Sequence, residues 1–363
     1  MKGFILRLLS ILIFACFGSV LLWHYFTHRD PVVIRPNDVN QKPVNSIDVA
    51  ASDPLKVQQQ PAKRNDIVDR LIASYSTSWK KHEQNLQSYR SLLSNKCNAI
   101  SAAVVTQHNS PTGTNITFDA DRKKILEVTP ALYNLFPKET PFKNAPWDTC
   151  AVVGNGGILT NSNCGKQIDS ASYVIRCNLP PLKNGHEKDA GSKSNIVTAN
   201  PSILNQKYGA LNDRRRLFVE DVQLYGNALI LLPAFSYRQN TAVSLRALYS
   251  LEDFGYDGPQ AVFFNPAYLR NLAEFWRRQG LRSMRLSTGI MMASLALELC
   301  KNVHLYGFWP FSVHPYTSKR LTNHYYDNKP ANNIVHAMSA EFEALLNLHN
   351  KGVIHLHIGE CTN

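Results

Sequence analysis

Residues 150–165 read "CAVVGNGGILTNSNCG", and this stretch decides the fold. A short apolar run, Ala151-Val152-Val153, ends in Gly154-Asn155-Gly156-Gly157. An apolar strand that breaks into glycines and then enters a helix offers backbone N–H groups to a phosphate. The turn is therefore expected at the C-terminal end of a buried strand, with Gly154 and Gly156 letting the backbone come close to a nucleotide. It is not a dinucleotide fingerprint: the third glycine position of G-x-G-x-x-G holds Leu159. Nor is it a Walker A loop, because Gly165-Lys166 is followed by Gln167. Cys150 and Cys164 bracket the loop, and a nucleotide turn by itself has no use for them.

Outward from this point the pattern is α/β. Apolar runs at Ala151–Val153, Tyr173–Cys177, Ile196–Ala199, Ala228–Leu232, Ala261–Phe264 and Val303–Tyr306 read as buried strands. Helical stretches at Pro266–Gln279, Gly289–Cys300 and Ile334–Asn350 alternate with them. The expected fold is a Rossmann-like, mainly parallel sheet flanked by helices. The last run, Val353–Ile358, alternates and reads as an edge strand. Upstream, Ile67, Leu71, Ile72, Tyr75, Trp79, Leu86, Tyr89 and Leu93 recur at helical spacing, giving one or two helices over 66–94. Residues 97–148 read as loop-rich, and 149–363 as the main domain.

Residues 8–26, at 19 residues, are long enough to span a bilayer, with Lys2 and Arg7 ahead of them. The expectation is a cytoplasmic tail (1–7), an uncleaved signal anchor (8–26) and a Pro/Asn/Gln-rich stem (27–65), with everything beyond in the secretory lumen. An oxidising lumen makes disulfides expected among Cys97, Cys150, Cys164, Cys177, Cys300 and Cys361, and six cysteines allow 15 pairings. Asn115-Ile116-Thr117 is a glycosylation sequon, expected on an exposed loop. The net charge of +12 suits a membrane surface or an anionic small substrate. No long Lys/Arg block accompanies it, so nucleic acid is not an expected partner. Asp119-Ala120-Asp121 resembles a metal-holding D-x-D but reads as a solvated turn. No C-x-x-C and no G-x-S-x-G occur, which removes the usual zinc and hydrolase signatures.

Four ordered blocks are more specific. Residues 150–182 resemble the large motif of the animal sialyltransferases, and residues 286–308, LSTGIMMASLALELCKNVHLYGF, resemble the small motif. His324-Tyr325-Tyr326-Asp327 resembles the third motif, and His336 with Glu341 the very short last one. The words "RCNLPPL", "TANPSI", "LPAFS" and "YGFWPFS" resemble the α2,8 branch. Within it, the chain looks nearest the members that make short α2,8 chains on glycoproteins, with ganglioside-making members close behind. The likeness covers about residues 140–361. It implies a variant glycosyltransferase-A fold, a Golgi type II membrane protein, and inverting transfer from CMP-sialic acid to a sialylated glycoprotein or glycolipid. It implies no metal and no cofactor. A second copy of the chain is a candidate partner.

The resemblance also implies roles. Asn155 and Asn178 would contact the nucleotide and its phosphate. Ser287, Thr288 and Gly289 would receive the phosphate or the sugar at a helix start, a reading the Ser-Thr-Gly sequence supports independently. The bland alternative for Ser287 is a plain N-cap. Trp309 would pack beside the cytosine or ribose, or else serve as a core aromatic. His336 would be the general base, with Glu341 capping a helix or tuning it. His324 would donate to the departing phosphate, supported by Asn323 and Tyr325. The implied bridges are Cys150–Cys300 and Cys164–Cys361. His304, His355 and His357 lie in strand-like runs and read as structural. The competing readings are a catalytically silent sialoside-binding protein and a nicotinamide-linked oxidoreductase.

Overall fold

Seven short strands hydrogen-bond into one sheet in a computed structural model that describes residues 66–254, 257–317, 319–329 and 338–361. The tail, anchor and stem expected over 1–65 lie outside the described residues. A hairpin of β1 (Asn115–Thr117) and β2 (Ile125–Glu127) precedes the sheet. The sheet strands are β3 (Trp147–Val153), β4 (Tyr173–Arg176), β5 (Ile196–Thr198), β6 (Leu229–Leu232), β7 (Gln260–Phe263), β8 (Cys300–Tyr306) and β9 (His355–His357). Every pairing is parallel, in the order β7-β6-β5-β4-β3-β8-β9. Strands of such a sheet are covered on both faces, so β4, β5 and the end of β3 are buried at consecutive positions and read as continuous apolar runs.

This order places the site. From β3 to β7 each strand is added on one side, whereas β8 returns to the other side of β3. The direction in which strands are added thus reverses between β3 and β8, and a crevice opens beyond the carboxyl ends of those two parallel strands. The glycine turn leaves β3 there, and Gly307-Phe308-Trp309 leaves β8 beside it.

Helices α1 (Asp66–Ser74), α2 (Glu83–Lys96), α3 (Arg215–Val222), α4 (Arg238–Asp253), α5 (Pro266–Arg278), α6 (Thr288–Leu299) and α7 (Met338–Asn350) have eight or more described residues. Nine of the ten residues from Ile290 to Leu299 in α6, all but Met291, are buried, so it is a central helix with no broad solvent face. Residues 66–104 pack into the same core as β3, β8 and α6. Glu298 of α6 ties them together, accepting from the Ala99 amide at 2.8 Å, the Ser94 hydroxyl at 3.0 Å and the Tyr268 hydroxyl at 3.3 Å. Burial pushes its carboxyl up, and these donors offset part of that cost.

Four readings are corrected. Ile67, placed on the apolar face, is 47% exposed, while Leu71, Leu86 and Leu93 of the same series are buried. The loop-rich stretch holds the β1–β2 hairpin, and Asn115 is an exposed residue of β1 rather than of a loop. Asp119 is half-buried, with one carboxylate oxygen shielded from solvent, so it is not a solvated turn residue. Helix α4 was not expected at all. Among the described residues no helix is long and apolar enough to cross a membrane.

Candidate active site

A cavity of about 290 Å³ occupies the crevice. One wall is the glycine turn. The Gly154 amide donates to the Tyr306 carbonyl at 2.7 Å and the Gly156 amide to the Gly307 carbonyl at 3.0 Å, so the exits of β3 and β8 lie in direct contact. A Cβ on Gly156 would stand 2.6 Å from the Gly307 oxygen, and one on Gly307, whose φ is +74°, would stand 2.5 Å from the Gly154 oxygen. Both positions therefore need glycine, one for close approach and the other for backbone conformation as well.

Between these glycines Asn155 points its amide nitrogen at the Cys177 carbonyl, 2.8 Å away. Its Oδ1 is buried and has no hydrogen-bond partner among the described residues. An acceptor left in that state costs about 1–3 kcal/mol, which a ligand donor would recover. Asn178 also lines the cavity. It sits at φ 58°, a left-handed conformation that asparagine tolerates, and its Oδ1 accepts from the Asn200 amide at 3.0 Å.

The opposite wall is the start of α6. Ser287 is its N-cap, with Oγ accepting from the Ile290 amide at 3.3 Å. Isoleucine stands where a local capping box would have Glu or Gln, and the missing carboxylate comes from Glu341 of α7. Its Oε1 accepts the Ser287 amide at 2.8 Å. The first-turn amides of Thr288 and Gly289 have no partner among the described residues, and both residues line the cavity. Thr288 Oγ1 lies 3.3 Å from the Asn200 amide nitrogen. Gly289 leaves room for Phe308, whose Cε1 would be 2.9 Å from an added Cβ.

His324 closes the mouth. It forms an isolated antiparallel bridge with Gly156, and its Nδ1 lies 2.7 Å from Asp327 Oδ2. Burial by itself would raise the Asp327 carboxyl, but hydrogen bonds from His324 and the Lys329 amide hold it below the usual carboxylate range. Tyr326 stacks on the His324 ring at 5.1 Å, and burial, with Asp327 adding to it, pushes its hydroxyl up to about 12. Asn323 Nδ2 is 3.2 Å from His324 Nε2.

Of the expected site residues, the structure gathers Gly154, Asn155, Gly156, Asn178, Ser287, Thr288, Gly289, Trp309, Asn323, His324 and Glu341 around this one cavity. Tyr325 is not among them. Its hydroxyl turns away to the Pro181 carbonyl at 2.8 Å, while its amide donates to the Asn155 carbonyl at 2.9 Å. Trp309 is buried, donates Nε1 to the Val313 carbonyl at 2.8 Å and packs edge-on against Phe342. It is thus both a cavity wall and a core aromatic. His336 lies outside the described residues. Asn200, Tyr326 and Asp327 were not assigned roles from sequence. The Asp327 spacing from His324, three residues within one turn, was the available signal.

Both bridges form. Cys150–Cys300 joins β3 to the start of β8, and Cys164–Cys361 joins the end of the glycine loop to the segment after β9. Cys97 and Cys177 are buried free thiols, and burial pushes both up to about 12. They are inert in that state.

A crevice at the switch point of a parallel sheet, lined by a helix N-terminus, a glycine turn and the His324 of a histidine–carboxylate pair, offers the groups that a group-transfer reaction needs. The profile of glycosyltransferase family 29 (sialyltransferase) matches residues 92–353, and the chain belongs to that family. It is 44% identical over 297 residues to the human protein named alpha-2,8-sialyltransferase 8F, covering 82% of this chain and 74% of that one. It is 41% identical over 301 residues to human alpha-2,8-sialyltransferase 8E, covering 83% and 79%. It is 42% identical over 292 residues to the alpha-N-acetylneuraminide alpha-2,8-sialyltransferase of Xenopus tropicalis, covering 80% and 84%.

Proposed function

We propose that the chain transfers sialic acid from CMP-sialic acid to the 8-hydroxyl of a terminal sialic acid on glycoprotein glycans, with inversion and without a metal. The observation that carries this reading is the convergence, in one switch-point cavity, of three features: two unpartnered helix-start amides, the orphaned Asn155 Oδ1, and the His324–Asp327 pair. The printed names of the relatives support the α2,8 linkage.

In this mechanism the donor phosphate sits at the α6 N-terminus. There the Thr288 and Gly289 amides and the Thr288 hydroxyl receive it, and the helix dipole favours its charge. Asn155 Oδ1 accepts from a cytosine amine or ribose hydroxyl. Asp327 holds His324 in one orientation and stabilises its protonated form, so that His324 can donate to the phosphate as the sugar departs. His336 removes the proton from the acceptor hydroxyl, a contribution typically of ~10²–10⁴ in rate. Residues 8–26 anchor the chain in the Golgi membrane with the catalytic part in the lumen, a setting that the two disulfides support.

The test is to incubate the full chain with CMP-sialic acid and a panel of sialylated glycoproteins and gangliosides, with and without chelator. No transfer to any sialylated acceptor would overturn the proposal. Transfer to gangliosides alone would overturn the acceptor class. An initial rate lost to chelator well below the melting temperature would refute metal-free transfer, and full activity in His336→Ala would remove the base.

A further inference from the structure

The strand register brings three histidines to one place. His304 of β8 pairs with His355 of β9, and His357 lies two residues further along β9, on the same face. One ligand-capable atom from each, taken together, lies within 4.8 Å of the others, and His304 Nδ1 is 3.0 Å from His357 Nε2. All three are half-buried. Burial, followed by the neighbouring imidazoles, holds His355 and His357 below the ordinary imidazole value. Neutral imidazole is the metal-binding form. Two facing lone pairs at this separation repel unless a proton or a cation lies between them.

The surroundings fix the rings. Trp79 stacks on His355 with centroids 4.4 Å apart and planes within 4°, and Tyr306 stacks on His357 at 4.3 Å and 9°. His349, at the end of α7, is a neighbour but not a candidate ligand. Its Nε2 meets the Ser76 carbonyl and its Nδ1 accepts the Leu356 amide. A separate cavity of about 410 Å³ is lined by His357, Tyr75, Thr77, Tyr316 and Glu360, and would admit water to a fourth coordination position. None of the three histidines lines the donor crevice.

We propose that His304, His355 and His357 bind one divalent transition-metal ion of the imidazole-preferring class, zinc or copper, as a structural site distinct from the donor crevice. Three imidazoles without a thiolate suit these ions, and magnesium or calcium would want oxygen ligands. Two nitrogens on a tetrahedral zinc stand about 3.4 Å apart, given Zn–N bonds near 2.1 Å, so the rings need shift by roughly 1 Å at most. The ion clamps the edge strand β9 onto β8 four residues before Cys361, the anchor point of the second disulfide.

The test strips the full chain with chelator, desalts it, and titrates it with Zn²⁺ against a chromogenic competitor and with Co²⁺ as a spectroscopic stand-in. One equivalent bound at micromolar affinity or tighter is expected, with the visible spectrum of a four-coordinate Co²⁺–imidazole site. His304→Gln, His355→Gln and His357→Gln should each weaken binding at least ~10-fold, whereas exposed His108→Gln should not change it. X-ray absorption of the zinc-loaded wild type, which needs no variant to fold, should count three imidazole ligands. No binding, fewer than two imidazoles on the zinc, or affinity unchanged by the three substitutions would overturn the site. Because these readouts do not depend on catalysis, they stand or fall separately from the transfer assay.

Discussion

Replacing Gly307 by alanine separates two costs that the structure sets apart. Its φ of +74° is a conformation that an L-residue enters at about 1–2 kcal/mol. Its new Cβ would also stand 2.5 Å from the Gly154 oxygen and 2.9 Å from Leu159 Cδ1. The first neighbour is backbone at the exit of β3 and cannot swing aside. Overpacking of this kind costs about 1–3 kcal/mol, so Gly307→Ala should lose about 2–5 kcal/mol in all. Gly280 supplies the control: it ends α5 at φ +91°, with its amide donating to the Arg277 carbonyl and the Leu281 amide to the Trp276 carbonyl, and nothing lies within 4 Å of an added Cβ, so only the conformational cost applies. The folded unit Gln58–Asn363, at roughly 2.1 cal/mol/K per residue, has an unfolding entropy of about 0.6 kcal/mol/K. Gly280→Ala should then melt about 1.5–3 °C lower than the wild type, and Gly307→Ala about 3–8 °C lower. Scanning fluorimetry at one fixed rate reads both, and CMP titration by calorimetry reads the crevice. CMP should bind Gly307→Ala about 10-fold more weakly and Gly280→Ala as it binds the wild type. Equal melting shifts, with CMP binding intact in both variants, would refute the reasoning that the contact between strand exits shapes the donor site.

Other substitutions probe the remaining walls. Glu341→Ala removes the acceptor of the buried Ser287 amide and should destabilise the protein by about 1–3 kcal/mol; Glu341→Gln, which keeps an oxygen, should recover part of this in the same melting assay. Asp327→Asn should lower the transfer rate about 100-fold by freeing His324, with little change in CMP affinity. Because the Asp327 carboxyl is held below its ordinary value, its stabilising contribution is present above the unfolded pKa, near 4, and is lost as pH falls through the folded one. The wild type should thus lose its stability advantage over Asp327→Asn on acidification in denaturant titrations at stepped pH, and a constant difference would count against the pairing. Cys361→Ser opens a loop of 197 residues, for which chain entropy gives a loss of up to ~5 kcal/mol, readable as a fall in melting temperature.

The strands were legible because a doubly covered parallel sheet demands unbroken apolar runs, and Val152-Val153, Val174-Ile175 and Ile230-Leu231 supply them. Helix α4 was not, because its buried face includes Asn240, Ser244 and Ser250 beside Val243, Ala247 and Leu248, which blunts the apolar period. The cap at Ser287 could be read locally, but its partner Glu341 is 54 positions away, and only the packing of α7 on α6 reveals it. Asn200 before Pro201 looks like an ordinary helix start. Its side chain makes no cap and reaches Thr288 instead. The histidines of β9 were visible as a strand, but the third member, His304, depends on the β8–β9 register.

The strand order also has a consequence for synthesis. A chain made from its N-terminus can pair β3 with β4 and continue to β7, yet the other edge of β3 stays open until Cys300 to Tyr306 arrive. Throughout that interval Cys150 and Cys164 are unpaired thiols beside an exposed apolar strand, a configuration open to wrong disulfides and edge-to-edge association. Cys164 must wait longer still, for Cys361. Completion of the glycine loop is therefore among the last events in the life of the nascent chain.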